Sequence, residues 1–189
     1  MTPIALAGPA VEPISLADMK LYLRLDGDAE DDLVAALIAA GRLTVERKTR
    51  LCLLHQSWRV RLAAWPGSRA VALPLAPVIS VDAVRLVAPG GGAELVGADL
   101  YRLDAAGDPA RLLLDAAVPE PAAGGAAEID LLCGFGAGPS AVPEPLLLAI
   151  RRMAAHWFEH RGDEGPRPGP AVPADALALI APFMRPRLA

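Results

Sequence analysis

Apolar positions recur at helical spacing toward both ends of this chain and alternate in its middle. The clearest run is VPEPLLLAIRRMAAHWFEHRGD, residues 142–163. Leu146, Ile150, Met153 and Trp157 fall on one helical face, with Leu147, Ala154 and Phe158 beside them. Arg151, Arg152, Glu159 and Arg161 fall on the other. Pro143 and Pro145 suit a first turn, whose N–H groups lack intrahelical partners. Gly162 suits a stop. The spacing predicts a helix over about residues 144–161, roughly 27 Å long at ~1.5 Å per residue.

Two further helices are predicted upstream. The first opens at residues 14–19, where Ser15 with Asp18 resembles a capping box and Ile14 with Met19 has the spacing of a hydrophobic staple. Leu16, Met19 and Leu23 give its apolar face, and Asp26-Gly27-Asp28 ends it near Leu25. The second covers about residues 29–50, with Leu33, Leu37, Ile38 and Val45 as the buried stripe. Glu30, Asp31 and Asp32 crowd its first turn and Arg47, Lys48 and Arg50 its last, which complements the helix dipole.

From Gln56 the period changes to two. Residues 58–62, 71–75 and 78–87 read as strands, and 101–103, 111–114 and 127–132 as shorter ones. Pro66-Gly67, residues 89–92, 107–109 and 119–125 are turns. After Arg161 a Pro/Gly-rich loop precedes a short helix at 174–180 and a tail containing Pro182, Phe183, Met184, Arg185 and Arg187. The predicted class is α+β. A mainly helical frame (two N-terminal helices, one long helix, one short C-terminal helix) carries an inserted small antiparallel β module at about residues 56–136. Residues 1–13 form an arm, 14–163 the main domain and 164–189 the loop, short helix and tail.

Composition narrows the functions. Of 189 residues 53% are apolar but only 4% aromatic, so the core is built from small side chains. A net charge of −4 lacks the basic surplus of a tight nucleic-acid binder. No run of about 18 apolar residues predicts a spanning helix. Residues 1–12 lack the basic start and apolar core of a signal peptide, so Cys52 and Cys133 are expected as free thiols in a reduced compartment.

Chemistry is sparse. The acidic cluster 26–32 lacks the spacing of a calcium loop and a closing Glu. His156 and His160 lie four apart, a spacing that can place two imidazoles on one metal, but Trp157 stands where a zinc-protease Glu would be. The glycine-rich stretches 89–92 and 134–138 contain no phosphate-binding fingerprint, and neither cysteine nor serine sits in a nucleophile signature. No catalytic residue, metal site or cofactor site is therefore expected. The apolar and basic tail suits ordering on contact with a neighbour.

Five motifs taken in order resemble one family. They are PISLADMKLYLRLDGDAEDDLVAALIAAGRLTVERKT, LPLAPVISVDAVRLV, IDLLCGFG, VPEPLLLAIRRMAAHWFEHRG and DALALIAPFMRPR, which together span residues 13–187. The chain resembles the phage head–tail connector, or adaptor, family, including the adaptors of phage-like gene transfer agents. The family tail reads Pro-Tyr-Arg; here Phe183 replaces the Tyr and Met184 precedes Arg185. The resemblance implies a structural protein with no enzymatic activity. It implies a ring of copies, a dodecamer, in the neck of a virion or particle assembled in the bacterial host cytoplasm. The ring would lie between the portal protein and a downstream stopper or tail protein, with DNA passing through its lumen and no membrane involved. The tail residues Pro182, Phe183, Met184, Arg185 and Arg187 would dock on the portal. A cyclic ring also needs two unlike complementary faces per subunit, to which Arg151, Arg152, Glu159 and Arg161 are candidate contributors. The alternatives are a small metal-dependent enzyme using His156 and His160, and a DNA-binding packaging factor.

Overall fold

The structure, a computed structural model, describes residues 1–160 and 172–184. It divides into two compact units. One joins Met1–Ala10 to His55–Phe135; the other joins Val11–Leu54 to the described residues from Gly136 onward.

The first unit is built of strands, with one 3₁₀ turn at Ala98–Leu100. β1 (Thr2–Ala7), β2 (Gln56–Leu62), β4 (Val78–Val87), β5 (Ala93–Leu95) and β8 (Ala126–Cys133) form an antiparallel sheet in the order β1-β2-β8-β4-β5. β3 (Ala70–Ala72), β6 (Tyr101–Asp104) and β7 (Arg111–Leu114) form a second one, ordered β3-β7-β6. β8 occupies the centre because its alternation is complete: Ala127, Ile129, Leu131 and Cys133 are buried on one face, while Glu128 and Asp130 point to the other. Across the ladder Val60 faces Ile129 and Ile129 faces Val84, and all three are fully buried. In the loop before β7's partner strand β3, Arg69 adopts φ 56° and donates to the carbonyls of Val118 and Ala116. Trp65 donates its indole N–H to the Pro119 carbonyl at 2.9 Å, so both side chains hold the 116–120 loop.

The second unit is helical. α1 (Leu16–Leu23) begins at Ser15, whose hydroxyl accepts from the Asp18 N–H at 3.0 Å and donates to the Asp18 carboxylate at 2.7 Å. It ends where Arg24 turns left-handed, two residues short of the expected stop. α2 (Asp31–Thr49) buries Val34, Ile38, Gly41 and Val45; Leu33 and Leu37 are only half-buried, so the stripe is rotated from the predicted one. α3 (Glu144–Glu159) buries Leu146, Ile150, Met153 and Trp157 as expected, and α4 (Ala174–Ile180) buries Ala176 and Ile180. The rotation of α2 follows from Gly41. A Cβ there would lie 3.0 Å from Ile150 Cγ2, so the missing side chain lets α2 and α3 approach closely. Beside it the buried Arg42 grips Glu12 with two hydrogen bonds, 2.7 and 3.1 Å, and Glu46 with a third at 2.9 Å. Glu46 also accepts the Leu53 N–H at 3.0 Å.

The α+β class holds, but a mainly helical frame does not: eight strands and four α-helices form among the described residues. Two strands account for much of the difference. Thr2–Ala7, expected within an arm, is an edge strand paired to β2. Ala93–Leu95 was expected as no element; it folds back on β4 because the 88–92 turn closes with Ala88 N–H to Gly92 O at 2.7 Å. Gly91 takes φ 88° there, a conformation only glycine adopts without strain. Neither strand shows a period of its own, since one has no apolar alternation and the other has three residues. Pairing to an existing edge creates both.

Gly41→Leu is expected to destabilise the protein by about 1–3 kcal/mol through overpacking against Ile150. Gly41→Ala should sit much nearer neutral, because its helix-propensity gain of roughly 1 kcal/mol offsets the tight contact. Denaturant unfolding midpoints of the two variants check the order.

Candidate functional site

Among the described residues the side chains do not converge on a reaction centre. His160 Nδ1 lies 2.7 Å from the His156 carbonyl, which can only accept, so that nitrogen carries the proton. The two rings stack at 4.2 Å between centroids. No group of three or more His, Cys, Asp or Glu among the described residues is placed to hold a metal ion. Cys52 and Cys133 are free and buried. A surface hollow of about 520 Å³ beside α1 is walled by Leu16, Ala17, Leu21 and Leu25, with Lys20 and Asp31 paired at its rim, 2.5 Å apart. No helix among the described residues is long and apolar enough to cross a membrane.

The chemistry present is that of surfaces. Arg151 donates to Glu144 at 2.9 Å along α3, and Arg152 donates to Asp175 at 2.5 Å, tying α3 to α4. Mainly through that hydrogen bond, Arg152 holds the Asp175 carboxyl below its ordinary range; desolvation opposes this, and the Ala176 N–H adds to it. Among the described residues, Arg151 and Arg152 are engaged inside the helical unit and Glu159 is exposed at the end of α3. Arg161 lies outside the described residues. Pro182 and Phe183 form a single 3₁₀ turn directly after α4, and Met184 follows with 41% of its surface exposed. Arg185 and Arg187 lie outside the described residues.

The strongest polar constellation went unforeseen. On the outer face of the five-stranded sheet, Asp130 of β8 receives Arg59 of β2 at 2.6 and 2.9 Å and Arg85 of β4 in a very short contact. Glu128, one pleat away, meets Arg59 at 3.2 Å and Arg61 at 4.0 Å. The Arg59 hydrogen bonds chiefly hold the Asp130 carboxyl below its usual range; burial opposes this and Arg85 adds to it. The signal lay in the alternations WRVRL and EIDLL, which put Arg59, Arg61, Glu128 and Asp130 on polar positions. Only the register of β2 against β8 shows that they meet.

The polar chemistry of the described residues lies in ion pairs that hold strands and helices together. Neither a family model nor a curated protein sequence matches the chain. Solved structures do. The chain resembles a protein in the neck of an empty gene transfer agent particle, computed with C6 symmetry, at TM-score 0.84. It also resembles proteins in the virion of the native particle, at 0.82, and in the neck of the native particle computed with C12 symmetry, at 0.74. In each the sequence identity is 30%, and the alignment covers 100% of this chain and 98% of the other. The chain belongs to the head–tail connector, or adaptor, family of gene transfer agent and phage necks.

Because the folded-state pKa of Asp130 lies below the unfolded value of about 3.9, its pairing stabilises the fold above that pH and is lost as pH falls through the folded pKa. The wild-type melting temperature should therefore drop on acidification below about pH 4. Asp130→Asn should start lower at neutral pH and lose less over the same interval, which a series of thermal melts from pH 7 downward measures.

Proposed function

We propose that this protein is a structural adaptor in the neck of a gene-transfer-agent-like or phage particle, acting as one wedge of a ring and catalysing no reaction. The observation that carries this reading is the full-length likeness to neck proteins of gene transfer agent particles at 30% identity. Six- and twelve-fold symmetry in those necks supports a ring, and we take twelve copies as its size. The ring sits between the portal protein and a downstream stopper or tail protein, and it assembles in the bacterial host cytoplasm. DNA passes through the lumen without sequence-specific binding. A net charge of −4 favours passage over adhesion, since phosphate contacts by Lys and Arg dominate affinity for DNA.

The C-terminal tail, Pro182, Phe183, Met184, Arg185 and Arg187, docks on the portal. Its position supports this: the 3₁₀ turn leaves α4 just after the buried Ile180 and exposes Met184. The polar rim of α3, with Arg151, Arg152, Glu159 and Arg161, contributes to the contact between neighbouring copies.

Deleting residues 182–189 should leave the circular dichroism spectrum and melting profile nearly unchanged, because Ile180 and the Arg152–Asp175 pair remain. Particles made with the deletion should carry few or no tails when counted by electron microscopy. A normal yield of tailed particles would remove the docking role.

A further inference from the structure

Among the described residues the two outer edges of the five-stranded sheet have no further partner strand; the edges are unlike, and both expose apolar side chains. β1, TPIALA, carries no charged residue; its outer flank leaves Ile4 46% and Leu6 47% exposed. β5, AEL, leaves Leu95 67% exposed. Isolated proteins blunt such edges with charge, proline or a covering element, because unpaired backbone N–H and C=O groups recruit another strand. Here Pro3 and a bulge between Ala5 and Ala7 are the only such devices on β1, and Glu94 is the only charge on β5.

Register places the two exposed side chains on the same face of the sheet. Ile4 pairs with Arg59, Arg59 with Asp130, and Asp130 with Ala83. Ala83 and Arg85 are two apart on β4, and Arg85 pairs with Leu95. Side chains directly opposite in a ladder share a face, so Ile4 and Leu95 both stand on the outer face of the sheet, at opposite edges.

We propose that in the ring β1 of one copy pairs with β5 of the next, so that each sheet continues into its neighbour. This rests on the ring reading above. A second copy is the fitting occupant because a cyclic ring uses a head-to-tail contact between two different patches, and these edges are two different patches of one sheet. Neighbouring strands are antiparallel throughout, so β1 and β5 of one copy share a sense along the sheet, offset by its accumulated twist. The junction brings the Ile4 and Leu95 flanks to face each other. Three residues of β5 make only a strip of the roughly 1,200–2,000 Å² that a stable contact buries, and the rim of α3 is the other contributor proposed above.

The test uses full-length protein in assembled neck particles. Adjacent strands lie about 4.8 Å apart, within the Cα spacing a disulfide spans. The double variant Ile4→Cys/Leu95→Cys, oxidised and run on a non-reducing gel, should give a ladder of covalent multimers. Cys52 and Cys133 are buried and should stay silent. Mixing Ile4→Cys with Leu95→Cys single variants should give dimers and no higher ladder. Ile4→Lys, which charges the edge, should leave the melting temperature unchanged and cut the fraction of protein in rings several-fold. Dimers from Ile4→Cys alone would mean two β1 edges facing each other, and the proposal falls. Rings that form normally in Ile4→Lys, with no ladder in the double variant, also overturn it while the adaptor reading stands. If wild-type protein forms no ring on particles, the adaptor reading itself fails.

Discussion

One carboxylate, Asp130, joins the three central strands of the β unit. It is partly withdrawn from water, and it is ionised because Arg59 on one side and Arg85 on the other supply the hydrogen bonds that water would. Ion pairs of this sort are weak evidence for net stability, since desolvation consumes much of the Coulombic gain. Their firmer effect is on register. Slipping β8 by one residue would carry Asp130 to the face where Val60, Val84 and Ile129 are fully buried, and no arginine waits there. With register fixed, the apolar face closes and the two edges of the sheet present defined side chains.

The helical unit uses a different constraint. Gly41 removes the bulk that would separate α2 from α3, and Arg42 next to it binds Glu12 and Glu46. Burial works against the Arg42 charge, and the two carboxylates more than offset it. This network pins the chain just before α1 and the Leu53 N–H after α2 to the same helix, so a unit assembled from two distant stretches of sequence shares one ionic knot. Breaking such a knot on one side leaves a charge without a partner, which is costlier than replacing it whole.

Both units spend their polar chemistry on holding shape. The well-made hydrogen bonds run between strands, along helices or to loop carbonyls, and the exposed surface includes apolar side chains such as Ile4, Leu21 and Leu95. Such surfaces suit a protein whose relatives sit in the necks of gene transfer agent particles.

Much of this was legible in the residues. The period of α3 and the length of α4 were readable because a helix that buries one stripe must repeat it, and the order of five motifs pointed to the family. The Ser15–Asp18 cap was readable because it is local. What only tertiary structure decided were features made by partners remote in sequence. β1 is a strand because β2 offers it an edge, α2 turns Val34 inward because Gly41 meets Ile150, and Arg59 finds Asp130 seventy-one residues away. Periodicity records which face of an element is apolar. It carries no record of which element will lie against that face, because pairing energy belongs to two segments at once.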